Sequence, residues 1–229
     1  VLNTIRYLRA LDLPLHEISE FLQNRDVDVI EKTLERQRDA VIDKQRELER
    51  IRRKIDNRLR QIRDAKTSKY DTVKLEEKEA CRVVFLKDAL EIKESSDMEA
   101  PIRRLEQEQT DALIFLGKVG VSISKEHLQK HQYASYDGIF LLLDREDRFR
   151  GKTLFLPKTL FLPKTLCVSI RFRGSHAQAP EQYETLAAYC REHRLIYQGF
   201  SREITMIDYG MTNDPEKFVT EISIPVERE

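Results

Sequence analysis

Apolar residues recur at helical spacing from the first positions of the chain, at Leu2, Ile5, Leu8 and Leu11 and again at Leu15, Ile18, Phe21 and Leu22. Asp12-Leu13-Pro14 separates the two sets, because a proline cannot continue the first helix. Asp26 to Asp28 then offers an N-cap for a third helix, with the acids at its positive dipole end. Over Glu31 to Lys66 the spacing becomes heptad. Leu34, Val41, Leu48, Ile55 and Ile62 form one position, and Ile30 and Ile51 supply part of the intermediate one. The pattern predicts one long helix with almost no Gly or Pro to interrupt it. Gln37, Lys44 and Arg58 occupy the remaining intermediate positions, so the seam is half polar. Antiparallel pairing of two helices, or packing on other elements, suits it better than a strong parallel zipper.

From Glu79 the period drops to two. Cys81, Val83 and Phe85 alternate with Arg82 and Val84, and Leu166, Val168, Ile170 and Phe172 alternate with Cys167, Ser169 and Arg171. Each strand leads to a helix opened by proline, at Ala100-Pro101-Ile102 and at Ala179-Pro180-Glu181. Strand-like runs follow at Ile139 to Leu143 in one half, and at Arg202 to Tyr209 and Phe218 to Val226 in the other. The expected class is α+β: N-terminal helices, a long helix, then two strand-helix-strand-strand repeats forming a pseudo-symmetric pair of sheets with a groove between them. A gapless shift of 79 positions aligns Ala100 with Ala179, Pro101 with Pro180, Leu116 with Leu195, Gly120 with Gly199 and Ser122 with Ser201. The hexapeptide Leu154 to Thr159 recurs unchanged as Leu160 to Thr165. With Pro157 and Pro163 it cannot make two central strands, and it reads as an insertion between the repeats.

Composition narrows the function classes. The 229 residues hold 40 basic and 40 acidic side chains, a balance that argues against nonspecific polyanion binding by the whole chain. The balance is uneven, with 13 basic and 8 acidic residues between Glu31 and Lys66. The arginines Arg50, Arg52, Arg53, Arg58, Arg60 and Arg63 read either as a phosphate-binding stripe or, because acids interleave with them, as a solvated helix face. No apolar run is long enough to span a membrane, so a soluble, cytoplasmic protein is expected. Cys81, Cys167 and Cys190 are odd in number and widely spaced, which fits reduced structural thiols. No cofactor is implied. His127 and His131 are spaced to share a helix face, but without a third ligand they make a poor metal site, and none is expected.

The run from Leu2 to Ile18, Leu-Asn-Thr-Ile-Arg-Tyr-Leu-Arg-Ala-Leu-Asp-Leu-Pro-Leu-His-Glu-Ile, resembles the second half of a MerR-type DNA-binding domain, which continues directly into a dimerisation helix. Asp12 stands where that family usually has Gly. The resemblance implies a homodimer through the Glu31 to Lys66 helix. It also implies a winged helix-turn-helix head upstream of Val1, so that promoter DNA is a partner of the full-length protein and this chain alone binds DNA poorly.

Ile207-Asp208-Tyr209-Gly210, Asn213-Asp214-Pro215-Glu216-Lys217-Phe218, and Thr220-Glu221-Ile222-Ser223-Ile224-Pro225-Val226 are similar to the GyrI-like effector-binding domain of multidrug-responsive, BmrR-like MerR regulators, and the Ser175 to Tyr183 segment agrees. The implied organisation is residues 1–26 from the DNA-binding domain, 27–66 the dimerisation helix, 67–78 a linker and 79–229 the effector domain. Alternation puts Glu203 on one strand face with Thr205, Ile207 and Tyr209. By residue type alone it would be a solvated carboxylate. The resemblance implies instead a pocket glutamate that meets lipophilic, cationic ligands. Tyr183 shares a helix face with Leu186, Ala187 and Cys190, and so is either core packing or the aromatic wall the family places there. Phe218 and Tyr136 match further pocket aromatics. The implied function is a ligand-responsive transcription regulator without enzymatic activity. The rivals are a hydrolase in which Glu203 is a general base and a free-standing module that sequesters drugs.

Overall fold

In a computed structural model of the chain, residues 2–23, 25–90, 97, 99–100, 102–103, 119–143 and 158–229 are described. They divide into two compact units, Val1–Arg60 and Gln61–Glu229.

The first unit holds helices α1 (Leu2–Ala10) and α2 (Leu15–Gln23) and most of α3 (Val27–Thr67), each where the apolar spacing placed it. Leu8, Leu13 and Ile18 form its buried core, with Ile30 and Leu34 of α3 packed against them. The break between α1 and α2 turns on Asp12, whose φ of 63° lies in the left-handed region. That explains why glycine is common there in the family this segment resembles, and why aspartate, one of the few other residues that tolerates the region, can replace it. Asp26 caps α3, its Oδ1 accepting the backbone N–H of Asp28 at 2.8 Å and of Val29 at 3.2 Å. Gln37 serves the fold rather than the seam, donating from Nε2 to the Leu11 carbonyl at 3.0 Å.

The second unit is a curled antiparallel sheet with α3's last turns at one end. Its strands are β1 (Lys74–Lys78), β2 (Cys81–Leu90), β3 (Val119–Ser122), β4 (Tyr136–Leu143), β5 (Lys158–Leu162), β6 (Thr165–Arg173), β7 (Leu195–Tyr197), β8 (Arg202–Ile207) and β9 (Val219–Arg228). Helices α4 (Lys125–Gln129) and α5 (Ala179–Glu192) interrupt them. The order across the sheet is β1-β6-β9-β8-β3-β4-β2-β5, with β7 beside β9. The expected pair of sheets is therefore one sheet, because β3 and β8 join the repeats by pairing Gly120 with Ile204 and Val121 with Glu203. Gly120 is required at this junction: a Cβ there would run into the Phe140 ring and the Glu203 carbonyl.

The order is symmetric about that junction, β6-β9-β8 mirroring β2-β4-β3, and the edges are exchanged. β1, which precedes the first repeat, pairs with β6 of the second; β5, which precedes the second, pairs with β2 of the first. The repeat spacing is not 79. β6 begins 84 positions after Cys81, β8 begins 83 after Val119, and β9 begins 83 after Tyr136, so the gapless alignment of Gly120 with Gly199 is off register. Of the proline-opened helix of the first repeat, residues 99–100 and 102–103 are helical and the rest lies outside the described residues. The first copy of the duplicated hexapeptide lies largely outside them too, while the second supplies part of the edge strand β5.

The expected linker at 67–78 is corrected. Its second half is β1, and its first half is tied down where Asp71 N–H donates to the Arg171 carbonyl at 2.7 Å and Tyr70 O–H to the Ala65 carbonyl at 2.7 Å. Arg171 bridges Asp64 on α3, at 2.7 Å, and Glu221 on β9, at 2.5 Å. Burial alone would lower the Arg171 pKa, but these two carboxylates outweigh it and hold the guanidinium above its ordinary value.

Candidate functional site

One row of side chains crosses the core face of the sheet in register: Ile170 on β6, Ile222 on β9, Glu203 on β8, Val121 on β3 and Ile139 on β4. Four are aliphatic and the central one is a carboxyl group. All five are buried, and Glu203 is 0% exposed. Burying an isolated carboxylate is strongly unfavourable, so the site is defined by what surrounds this one.

Tyr136, at the start of β4, donates its hydroxyl to both carboxyl oxygens, 3.0 Å from Oε1 and 3.2 Å from Oε2. His176 Nδ1 lies 2.5 Å from Oε1 and makes an ion pair with it when protonated. The His176 and Tyr136 rings meet edge to face at 6.0 Å. Tyr183, fully buried on α5, pairs its hydroxyl with Ser201 Oγ at 2.8 Å, and that oxygen accepts the Ile123 N–H at 2.9 Å. The Tyr183 ring stacks on Tyr133 at 5.3 Å with planes 11° apart, and the Tyr133 hydroxyl reaches His131 Nδ1 at 2.9 Å.

Burial, reinforced by the Glu203 charge, pushes the Tyr136 phenol far above its ordinary range. Tyr183 is raised by burial first, then by Glu203 and Tyr136. Tyr133 is pushed up to about 12, by burial and then by Glu184. All three phenols therefore stay protonated at neutral pH and act as fixed hydrogen-bond donors. The arrangement is a carboxyl group in an apolar, aromatic enclosure, able to hold a positive charge by ion pairing and by the ring faces.

Of the residues singled out in the sequence, the structure brings Glu203 and Tyr136 into contact and places Tyr183 near enough for Glu203 to raise its phenol. Phe218 is buried, and its ring packs edge-on against Tyr209 at 4.6 Å. Its carbonyl accepts the Gly174 N–H at 3.0 Å, so its recorded part is to hold the segment that carries His176.

His176, Ser201 and Tyr133 were not foreseen. His176 sits in a three-residue 3-10 turn, His176–Gln178, between β6 and α5. The available signal was its place two residues beyond Gly174, whose φ of 128° turns the chain back over the sheet end. His127 and His131 do not form the expected pair on one helix face. α4 ends at Gln129, His131 lies beyond it with φ 57°, and His127 turns instead to Asp137 at 3.0 Å. Among the described residues no cluster of three or more candidate ligands could hold a metal. No described helix is long and apolar enough to cross a membrane.

Residues 71–227 match the GyrI-like small molecule binding domain. The chain belongs to the GyrI-like family. No curated protein sequence matches it. Among solved structures, the whole chain is similar to EcmrR in the cryo-EM structure of the EcmrR–DNA complex in EcmrR-RPo. The identity is 18% and the TM-score 0.56, over 82% of that protein's chain. The crystal structure of the EcmrR C-terminal domain is similar over 69% of this chain and 98% of that one, with 14% identity and a TM-score of 0.51. The GyrI-like domain, a small-molecule binding domain, thus includes the whole Glu203 site.

Proposed function

We propose that this chain is the dimerising and ligand-sensing part of a MerR-type transcription regulator of the multidrug-responsive kind, whose GyrI-like domain takes lipophilic cations at Glu203. The observation that carries the reading is the carboxyl group at the centre of an aliphatic row, enclosed by Tyr136 and Tyr183. A buried carboxylate discriminates by charge: a cation restores what desolvation removes, and a neutral ligand of the same shape does not. Tyr136 and Tyr183 supply ring faces, and Phe218 steadies the His176 turn at the rim. Two features favour a regulator over a hydrolase or a sequestering module. The helices α1 and α2 lead into a long α3 of the kind that joins DNA-binding heads, and the chain is similar along its length to EcmrR, a protein solved in complex with DNA.

Homodimerisation through Glu31 to Lys66 is supported by the seam itself. Val41, Leu48 and Ile55 are 43%, 59% and 55% exposed, and a second α3 would cover them. Ligand binding would then shift a population between two dimer geometries, and promoter DNA would read the difference in the full-length protein.

The reading is tested by Glu203→Gln, which keeps shape and removes charge. Tetraphenylphosphonium donates no hydrogen bond, so what is lost is the charge pair, and removing one partner of a buried pair costs about 2–5 kcal/mol: its affinity should fall roughly thirtyfold or more, while affinity for neutral triphenylphosphine oxide stays within about twofold. Equal losses for both ligands in calorimetric titrations would remove Glu203 as the charge sensor.

A further inference from the structure

His176 stands where the charge of an incoming cation would stand. Its Nδ1 is 2.5 Å from Glu203 Oε1, and its side chain is 13% exposed where that of Glu203 is 0% exposed. The imidazole therefore lies on the solvent side of the carboxyl group. It is carried by a turn of three residues, pinned at its base where Gly174 N–H donates to the Phe218 carbonyl at 3.0 Å and Thr220 Oγ1 to the Gly174 carbonyl at 2.7 Å. A short turn between a glycine and a helix start can swing outward without unfolding either neighbour.

The titratable groups facing the imidazole are Glu203 from β8 and Tyr136 from β4, with Tyr183 of α5 next to both. The turn itself adds only the uncharged Ser175 and Gln178, which bond to each other at 2.9 Å. Both phenols keep their protons, so the imidazole is the group facing Glu203 that can carry a positive charge.

We infer that His176 is an internal cation that occupies Glu203 when no ligand is bound, so that protons and cationic ligands compete for one carboxylate. The inference rests on the proposed cation-binding reading and adds its regulation. When His176 is protonated, a ligand must break an existing ion pair and displace the proton; when His176 is neutral, at most a hydrogen bond holds the carboxylate, and a cation displaces it more readily. Affinity for a permanent cation then falls as pH falls, by at most about tenfold per pH unit, and over the range where it changes binding releases up to one proton.

Tetraphenylphosphonium, whose charge does not change with pH, is titrated calorimetrically into the whole chain from about pH 5 to pH 8. Wild-type affinity is expected to rise with pH and level off. His176→Gln should bind at the lowest pH as tightly as wild type does at the highest, with no slope. His131→Gln, which alters the next histidine along the Tyr133 and Tyr183 stack, should keep the wild-type slope. Thermal melts establish that the variants are folded. Titration of the wild type in buffers of different ionisation enthalpy measures proton release with no variant at all. A flat wild-type profile, no proton release where the affinity changes with pH, or an unchanged slope in His176→Gln would each overturn the role of His176 and leave the cation site standing. Absence of binding at every pH would overturn the cation site, and the role of His176 with it.

Discussion

The seam of α3 and the centre of the sheet invert the usual rule in opposite senses. On α3, Val41, Leu48 and Ile55 are exposed apolar side chains on a helix otherwise covered with charge; on β8, Glu203 is a charged residue in a row of aliphatic ones. The first inversion has no remedy within the helix, since neighbouring arginines and glutamates cannot dry an apolar stripe. The second has its remedy at hand, in the Tyr136 hydroxyl and the His176 ring. An uncompensated apolar stripe calls for a partner of lasting kind, because the hydrophobic term favours cover at every moment. A compensated charge permits a partner that comes and goes, because the internal donors can return when it leaves. The contrast is the one that the proposed dimer with its reversible ligand site requires.

The largest effect should come from spoiling the stripe. Fully burying a leucine or isoleucine contributes roughly 1.5–3 kcal/mol, and each position counts twice in a symmetric dimer. Leu48→Asp with Ile55→Asp should weaken dimerisation by about a hundredfold or more in sedimentation velocity, with helix content by circular dichroism unchanged because both positions face water in the single chain. A wild-type monomer at micromolar concentration would break the comparison at its first half. A smaller effect is expected from Tyr136→Phe, which removes the donor to both carboxyl oxygens. Denaturant unfolding of the ligand-free protein should show a loss of about 1–3 kcal/mol. No loss would mean that Glu203 is not sustained by the bonds that enclose it.

How much of this could be read from the sequence follows from the range of each signal. Periodicity is local, so α1, α2, α3, β6 and β8 were legible within a residue or a few, and alternation put Glu203 on the face that proves buried. Pairing between distant strands leaves no local mark: nothing near Gly120 announces that it will face Ile204, and so one sheet was read as two. β1 was hidden by its charge. Lys-Leu-Glu-Glu-Lys reads as a linker, yet an edge strand paired only with β6 can carry such residues, and Lys78 and Glu76 bond inward to Glu221 and Ser169. His131 was misplaced because helix length, not spacing, decides whether two residues share a face. His176 was missed because its contact depends on a turn whose direction is set by one glycine φ.

The smallest effect is the sharpest control. Arg52 on α3 lies 2.7 Å from Glu49 and 3.2 Å from Asp56, contacts as close as those around Glu203, and the Glu49 hydrogen bond with both charges raises its pKa. All three side chains are in water, however, where solvent and salt screen the attraction and each pair must immobilise two long side chains to form. Arg52→Ala should therefore leave the melting temperature unchanged at physiological salt, although it deletes two ion pairs where Tyr136→Phe deletes a single hydroxyl. If the two variants destabilised the protein equally, burial would not be what distinguishes the Glu203 site from the charged face of α3. The case for a carboxylate held ready for a cation would then lose its physical basis.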